Sequence, residues 1–373
     1  MPRLVRPPLR VIVWAAATVV LLLVAALLWR GSDAAATEST TTAPAAVPTG
    51  TPAGAVSETW SAAGTLPSDA VVEGGRALIG SRHGVRALDP VTGHEVWHYT
   101  RSNARMCGLT AVNGVAVAVF ATRDRCDEAV ALHADTGVRA WTRSVSFRAD
   151  ATLLSTDRIV MATSSTGIVT IDPTGDNIRW RYAAPPGCRL QSAVGSAGVA
   201  VLQTCDRALM AQLRLFDGFS GAPHWTREVP VAGKPRLLGA DTLPTLLADG
   251  EVQALASADG GVLASLPVAP GADVQVGAAG ALTLVRIDAV VTALDATSGG
   301  TVWSASATGL PTSVAPAPRT VVLPDGDAFV RRDPATGAEV GRSTAPAVPA
   351  GGNATEVGPV VVLRLPDRVI AFR

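Results

Sequence analysis

The chain has 373 residues, with 31 basic and 31 acidic side chains and a formal net charge of zero. This balance argues against a nucleic-acid-binding protein, which needs a cationic face to displace the counterions of the phosphate backbone. Because 48% of the residues are hydrophobic and only 17% are charged, a wholly disordered chain is also excluded.

The first predicted element is a transmembrane helix over residues 11–30. Residues 11–29 carry no charge and, at about 1.5 Å per residue, match the hydrocarbon thickness of a bilayer. The preceding segment 1–10 contains three arginines, whereas only Arg30 follows the apolar stretch closely. The positive-inside rule therefore places residues 1–10 in the cytoplasm and the rest of the chain outside it. We expect a single-pass cell-membrane protein whose carboxy-terminal part is extracytoplasmic.

A cleaved signal peptide is the alternative to this uncleaved signal anchor. The small residues at 34–36 suit a signal peptidase, although the apolar stretch is longer than the usual core of a signal peptide. Residues 31–56 are rich in Ala, Thr and Pro and lack apolar periodicity, so they predict a flexible stalk. Both alternatives place the remaining residues outside the cytoplasm.

A repeat of about 40 residues fills positions 57–373. Two clear copies are ALDPVTGHEVW at 87–97 and ALDATSGGTVW at 293–303. Asp caps a tight turn and Gly supplies a positive φ, so each copy predicts a hairpin between two strands. A tryptophan at a fixed offset then offers a large flat surface to the neighbouring unit. The structural tryptophans of this column are Trp60, Trp97, Trp141, Trp180, Trp225 and Trp303.

A second strand pair precedes each of these turns, so the repeating unit is four short antiparallel strands. Asn113 and Gly114, within an apolar run, are a strong hairpin signal in one of these pairs. A four-stranded repeat of this length is typical of a β-propeller blade. The chain from Trp60 to its last residue divides into eight blades of about 39 residues, whereas seven would need about 45.

The two ends of the repeat region predict how the ring closes. Residues 368–373 match the third strand of a blade, and residues 57–60 match a fourth strand. Joined in one blade, they leave no open sheet edge between the first and last repeats. We therefore predict an all-β fold, an eight-bladed β-propeller of four-stranded antiparallel blades, closed by the N-terminal strand and preceded by one transmembrane helix.

The turn copies resemble the quinoprotein-type repeat of PQQ-like β-propellers, with its A-x-D-x-x-T-G-x-x-x-W pattern, and the resemblance covers residues 57–373. It implies the fold more than the function, because that superfamily holds both dehydrogenases and non-catalytic scaffolds. The scaffolds include the envelope lipoprotein that assists outer-membrane protein assembly. The enzymes carry a vicinal disulfide and an acidic and amide cluster around calcium, and this chain matches neither. The resemblance therefore favours a membrane-anchored scaffold without PQQ or another cofactor.

The four cysteines predict two disulfides. Cys188 and Cys205 oppose each other across a hairpin centred near 195–198, while Cys107 opens the first strand of its unit and Cys126 follows the second. The expected pairs are therefore Cys107–Cys126 and Cys188–Cys205, in an oxidising compartment. Metal ligation is the alternative, and it is disfavoured because no C-x-x-C pair occurs and the five histidines are scattered.

A ring of mixed charge is predicted at one mouth of the propeller channel, where the innermost strand of each blade starts. The residues of this ring are Asp69, Arg105, Asp150, Arg189, Lys234 and Asp273, with Thr312 and Asn353 nearby in the last two blades. One interpretation is ion pairing between neighbouring blades at a solvated rim, and the other is a binding site for a polar ligand or partner. Both predicted disulfides pin loops on this face, which favours a rigid presenting surface.

The remaining distinctive residues are predicted to be structural. The turn aspartates look like a ligand set when aligned, but they are expected to cap turns, and His133 is a variant of the same turn. Ala264 and Gly341 stand where tryptophan is absent, and we expect local repacking by Leu or Val there rather than an open gap. No G-x-S-x-G motif or isolated reactive cysteine points to catalysis.

These observations favour a non-catalytic extracytoplasmic binding scaffold of the bacterial cell envelope. Its expected partners are the membrane, through the N-terminal helix, and an envelope protein or a wall ligand. The alternative is a quinoprotein-like enzyme, or a sugar- or wall-ligand-binding protein, that uses the channel mouth. A sensor is disfavoured because about ten residues precede the membrane segment, too few for a cytoplasmic output domain.

Overall fold

The computed structural model describes residues 8–67, 71–122, 124–175, 177–312 and 319–373. It begins with the helix α1 (Leu9–Arg30), followed by the four-residue helix α2 (Asp33–Ala36). No residue of α1 is buried, and its apolar side chains point outward all round. Among the described helices, α1 alone is long and apolar enough to cross a membrane by length and composition.

Eight groups of antiparallel strands follow. Two short strands come first, β1 (Thr37–Ser39) and β2 (Glu58–Ala63). Blade 1 contains β3 (Val72–Glu73), β4 (Arg76–Ser81), β5 (Gly84–Leu88) and β6 (Glu95–Arg101). Blade 2 contains β7 (Arg105–Val112), β8 (Val115–Ala121), β9 (Cys126–His133) and β10 (Arg139–Phe147). Blade 3 contains β11 (Thr152–Ser155), β12 (Val160–Ser164), β13 (Gly167–Ile171) and β14 (Ile178–Ala183).

The next three blades repeat this order. Blade 4 contains β15 (Cys188–Gly195), β16 (Gly198–Cys205), β17 (Met210–Phe216) and β18 (Pro223–Pro230). After a 3₁₀ turn (Val231–Gly233), blade 5 contains β19 (Arg236–Ala240), β20 (Pro244–Ala248), β21 (Glu251–Leu255) and β22 (Val262–Pro267). Blade 6 contains β23 (Val274–Ala279), β24 (Leu282–Ile287), β25 (Val290–Asp295) and β26 (Thr301–Ser306).

The last two blades close the ring. Blade 7 contains β27 (Leu310–Pro311), β28 (Val321–Asp325), β29 (Ala328–Arg332) and β30 (Glu339–Thr344). Blade 8 contains β31 (Asn353–Val357), β32 (Val360–Arg364) and β33 (Arg368–Phe372), and β2 is its fourth strand. β2 pairs antiparallel with β33, from Glu58 opposite Phe372 to Ala63 opposite Arg368. The eight-bladed all-β propeller and its closure by the N-terminal strand are therefore confirmed.

Blade 7 differs from the others in how its innermost strand is paired. β27 has only two residues and pairs in parallel with β31 of blade 8, whereas β28, β29 and β30 form an antiparallel sheet of three strands. A parallel bridge between neighbouring blades requires their innermost strands to lie side by side. Blades 7 and 8 are thus joined by backbone hydrogen bonds as well as by side-chain packing.

The core lies between the blades and follows from the apolar runs in the sequence. β8 is buried along six of its seven residues, as its uninterrupted run of Ala, Val and Phe predicts. The turn before β8 places Asn113 and Gly114 at φ values of 51° and 74°, which fits the predicted two-residue hairpin. Apolar residues of adjacent blades then pack into shared clusters, such as Trp97 of blade 1 with Phe120 of blade 2.

The segment between α1 and the propeller is paired with the ring. β1 adds to the outer edge of blade 1, with Thr37 opposite Arg101 of β6. Further along, the Thr42 amide donates to the Thr136 carbonyl of blade 2 (2.9 Å). The Val56 amide donates to the Thr344 carbonyl of blade 7 (2.8 Å). The composition of residues 31–56 predicted a flexible stalk; the unpaired edge of β6 explains the difference, because it offers backbone groups that composition cannot reveal.

Candidate functional site

The tryptophan column joins neighbouring blades at six of the eight junctions. The Trp97 Nε1–H donates to the Ala134 carbonyl in the turn between β9 and β10 of blade 2, at 2.9 Å. The other tryptophans repeat this contact at 2.8 to 3.0 Å, always to the residue after the aspartate position of the next blade's turn. The donor–acceptor pairs are Trp60–Pro90, Trp97–Ala134, Trp141–Pro173, Trp180–Gly218, Trp225–Ser257 and Trp303–Pro334.

The turns are shaped to receive the indole. Gly137 has φ +75°, and a Cβ built on it would lie 2.7 Å from Cγ of Trp97, so both the backbone and the contact require glycine. In the same turn His133 replaces the aspartate, and its carbonyl still accepts the Gly137 amide at 2.8 Å. These turn residues are structural, as the sequence predicts.

The turn aspartates accept backbone hydrogen bonds from their own loops. In blade 4 the carboxylate of Asp217 accepts from the Phe219 and Ser220 amides (3.1 and 2.7 Å) and from the Ser220 hydroxyl (2.7 Å). The Ser220 backbone N–H, followed by its hydroxyl, is the main cause of the lowered pKa of Asp217. The pKa of Asp333 is lowered in the same way by Thr336. Carboxylates bound by their own turns are caps, which agrees with the structural interpretation.

Two junctions lack the tryptophan, and they differ from one another. At the junction of blades 5 and 6, Leu263 packs over the turn glycine Gly299, as the expected repacking by an aliphatic residue requires. At the junction of blades 7 and 8, the Arg331 guanidinium lies over Gly341, so the expectation of Leu or Val is wrong there. Blade 8 takes its third and fourth strands from distant parts of the chain and has no turn between them to accept an indole N–H.

Both predicted disulfides are confirmed. Cys107 is joined to Cys126, and Cys188 is joined to Cys205, which are direct partners in the β15–β16 register. Cys107, near the start of β7, is bonded to the first residue of β9, and Cys188, at the start of β15, is bonded to the last residue of β16. Both therefore pin loops on the face of the ring where the innermost strands start. Among the described residues, no group of three or more His, Cys, Asp or Glu side chains comes together that could hold a metal ion.

The predicted charged ring is laid out as five exposed residues on this face. Arg105 and Arg189 lie in the first two positions of β7 and β15, and Asp150, Lys234 and Asp273 precede β11, β19 and β23 by at most two residues. Asn353 begins β31, and the buried Thr312 follows β27. The predicted member Asp69 lies outside the described residues.

The ring residues do not pair with one another where the structure describes them. Asp150 binds Arg148 of its own loop (2.9 Å), and Asp273 binds Arg286 of its own blade. The expected ion pairs between neighbouring blades are therefore replaced, at these two positions, by pairs within a blade. The arrangement presents separate charges on a rigid rim rather than one convergent cluster.

A feature that the sequence analysis missed is an apolar loop of blade 4 on the same face. Leu209, in the turn between β16 and β17, is 85% exposed, and the next residue, Met210, is also exposed. The loop backbone is held on both sides: the Asp206 amide donates to Gly187 (2.8 Å), and the Leu209 carbonyl accepts from Val231 (2.9 Å). The sequence signal that could have revealed this loop is the apolar pair Leu209 and Met210, which follows shortly after Cys205 of the second disulfide.

A cavity of about 310 Å³ opens at the opposite mouth of the channel, near the far ends of the innermost strands. Its lining includes Glu356, Thr355 and Thr312, with an apolar floor that contains Val321 and Val322. Burial raises the pKa of Glu356, and the neighbouring Arg331, 3.6 Å from its carboxylate, opposes that rise. The volume is at the lower end of the range for small-molecule sites.

The comparisons with known proteins agree with this geometry. A family model described as outer membrane protein assembly factor BamB matches residues 26–265 and 210–372. The chain belongs to this PQQ-like propeller family. A search of curated proteins finds no significant match.

Solved structures similar to this PQQ-like propeller have low sequence identity to it. A computationally designed protein, Ika8, is 12% identical over 84% of this chain and 98% of its own, with a TM-score of 0.56. BamB from Moraxella catarrhalis is 18% identical over 85% of this chain and 97% of its own, with a TM-score of 0.47. The quinohemoprotein alcohol dehydrogenase ADHIIG from Pseudomonas putida HK5 is 12% identical over 85% and 76%, with a TM-score of 0.48. Such likenesses concern the fold alone.

Proposed function

We propose that this PQQ-like propeller is a non-catalytic binding scaffold of the cell envelope, anchored by an uncleaved α1 and exposed outside the cytoplasm. Family membership and the two disulfides, which need an oxidising compartment, support this proposal. The turn aspartates cap their own turns, and the tryptophans join neighbouring blades. What remains for function is a rigid surface.

The observation that carries the proposal is the pinned loop of blade 4. Leu209 is the most exposed large apolar side chain of the described residues. An exposed leucine on a fixed backbone binds a protein partner at a lower ordering cost, because only its side chain has still to be immobilised. Arg207 lies exposed in the same turn, and Arg189 is exposed in the second position of β15 on the same face, so both can supply a polar rim of the kind that surrounds an interface centre.

The test uses the full chain in its native membrane with a photo-crosslinking residue at position 209. The matched control is position 290: Val290 is 51% exposed and also follows a turn between the second and third strands of its blade. We expect crosslinks to an envelope protein from position 209 and none from 290. Leu209→Asp should abolish co-purification of that protein, whereas Val290→Asp should not. Equal crosslinking from both positions contradicts a partner site on blade 4.

A second candidate function is small-ligand binding in the cavity of blades 6 to 8. It is favoured by Glu356, whose pKa is raised by burial in a concave site, a combination typical of binding and catalytic pockets. Absorbance and calorimetric titration of the full chain with PQQ, with divalent metal ions and with wall saccharides tests it. Saturable one-to-one binding that Glu356→Gln weakens would replace the scaffold proposal with this one.

A further inference from the structure

The segment that links α1 to the propeller is bonded to blades 1 and 2 directly after the helix. Asp33 is three residues beyond Arg30. Its carboxylate lies 2.7 Å from the Arg101 guanidinium and accepts a hydrogen bond from the side-chain Nδ2 of Asn103 at 2.8 Å. Further along the chain, all three residues of β1 pair with β6. Three residues of extended chain span about 10 Å, so this corner of the ring is held within that distance of the end of α1.

Arg101 holds this junction from inside the protein. Its side chain is 1% exposed and lies between Asp33 and Glu128 of blade 2, whose carboxylate it contacts at 2.8 Å. Removing one of the two carboxylates from a buried cation raises the free energy of the folded protein. The contact with Asp33 therefore favours the docked position of the segment. The Ala36 carbonyl adds hydrogen bonds from the Ser102 amide (2.9 Å) and hydroxyl (3.2 Å).

The surface around this junction is formed by the turns 82–83 and 102–105 and by residues 124–125; we call it the anchor-proximal surface. Its parts are contiguous, because the Arg101 amide donates to the His83 carbonyl and the Met106 amide donates to the Arg82 carbonyl, both at 2.7 Å. The Cys107–Cys126 disulfide holds residues 124–125 beside it. Within these three segments the exposed charged residues are three arginines and one aspartate, namely Arg82, Arg105, Arg125 and Asp124. The neighbouring Asp33 carboxylate is 66% exposed but is paired with the Arg101 guanidinium.

We propose that the anchor-proximal surface rests on anionic phospholipid headgroups of the leaflet from which α1 emerges, and that its exposed arginines bind the phosphates of these anionic headgroups. This inference rests on the proposed uncleaved anchor. In this arrangement the propeller does not hang on a free tether. It has a fixed orientation, with blades 1 and 2 at the membrane. Blade 4, with its exposed Leu209, lies two blades further round the ring and outside the anchor-proximal surface. Cationic side chains at an anionic surface each contribute about fivefold to association.

The test is hydrogen exchange of the full chain in nanodiscs of phosphatidylglycerol, of phosphatidylcholine, and in detergent. We expect slower exchange in the turns 82–83 and 102–105 in phosphatidylglycerol than in detergent, and unchanged exchange in the turn 249–250 of blade 5. Replacing all three arginines by glutamine should remove most of this protection, because each arginine contributes about fivefold to association with the anionic surface. The matched control is Arg207→Gln, an exposed arginine on the same face but in blade 4.

A milder variant tests the junction without removing a buried charge. Asp33→Asn should release the segment and lower the protection in phosphatidylglycerol, whereas Asp124→Asn should not. If the chain stays in the nanodisc but the turns 82–83 and 102–105 exchange as in detergent, the membrane-facing surface is refuted and the anchor stands. Equal protection in both lipids refutes binding to anionic headgroups. An amino terminus found after residue 30 in the cell-derived protein refutes the anchor itself.

Discussion

Two kinds of blade junction occur in the ring, and they differ in what holds the outer strand of one blade to the next. Six junctions use a tryptophan whose indole N–H donates to a turn carbonyl, and in five of them, all but that of Trp141, the ring also covers a turn glycine. The junction of blades 5 and 6 uses Leu263, and that of blades 7 and 8 uses the Arg331–Glu356 ion pair. The tryptophan latch therefore needs a complete turn on the receiving blade, and other chemistry takes its place where that turn is missing or already covered.

The closing blade is the junction whose loss should cost most. β33 lies between β32 and β2, so deleting residues 368–373 removes the strand that joins the two. We expect this deletion to abolish cooperative thermal unfolding, because the buried residues of blade 8 lose their partners and the ring opens. Circular dichroism melting checks it. A truncated chain that melts like the wild type would show that the ring closes in another way.

Removing a latch should have the next largest effect. Trp97→Ala deletes a fully buried indole and leaves a cavity between blades 1 and 2, so we expect a loss of about 3–5 kcal/mol of unfolding free energy. Trp141 is only half-buried, and Trp141→Ala should cost less. Chemical denaturation of both variants measures the difference. Equal losses would mean that the hydrogen bond, and not burial, dominates the latch.

The junction of blades 5 and 6 can be used to exchange one latch for the other. Ala264→Trp alone should destabilise the protein by about 1–3 kcal/mol, because Leu263 already occupies the space over Gly299. The double variant Leu263→Ala with Ala264→Trp should recover part of this loss, since the indole then has room. Denaturant midpoints of the single and double variants provide the comparison. A double variant worse than both singles would contradict the exchange.

The turn caps predict a dependence of stability on acid. The native carboxylate of Asp217 has a lowered pKa, so between its native and unfolded pKa values the folded state binds fewer protons than the unfolded state. The contribution of Asp217 to the free energy of unfolding is therefore fully present above about pH 4, and it is lost as the pH decreases through the native pKa. Asp217→Asn should reduce this slope in melting temperature against pH. An unchanged slope would place the acid sensitivity elsewhere.

The smallest expected effect is at the junction of blades 7 and 8. Arg331→Gln removes the cation that opposes the burial-induced rise, so the pKa of Glu356 should increase further. The accompanying loss of stability should be about 1 kcal/mol or less. Carbon-detected NMR titration of the Glu356 carboxyl measures the shift. A pKa that stays constant would mean that the ion pair does not form in solution.

Local patterns explain why the sequence predicts the ring well. The turn from Asp89 to Gly93 and the hairpin at Asn113 and Gly114 are set by neighbours in the chain, and the cysteine register follows from them. The exposed Leu209 and the paired segment 31–56 depend instead on surfaces that form only after folding. No local periodicity reports which sheet edge stays open or which loop is pinned on both sides.

The contact between residues 57 and 373 has a topological consequence. The Ser57 amide donates to the Arg373 carbonyl and the Arg373 amide donates to the Ser57 carbonyl, both at 3.0 Å. The folded ring is thus nearly continuous in space. In a propeller without residues 1–56, a short covalent join between residues 57 and 373 would give a cyclic chain. Such a chain could be reopened at the exposed tip of another hairpin as a circular permutant. The membrane anchor could therefore be attached at a different blade without changing the propeller fold.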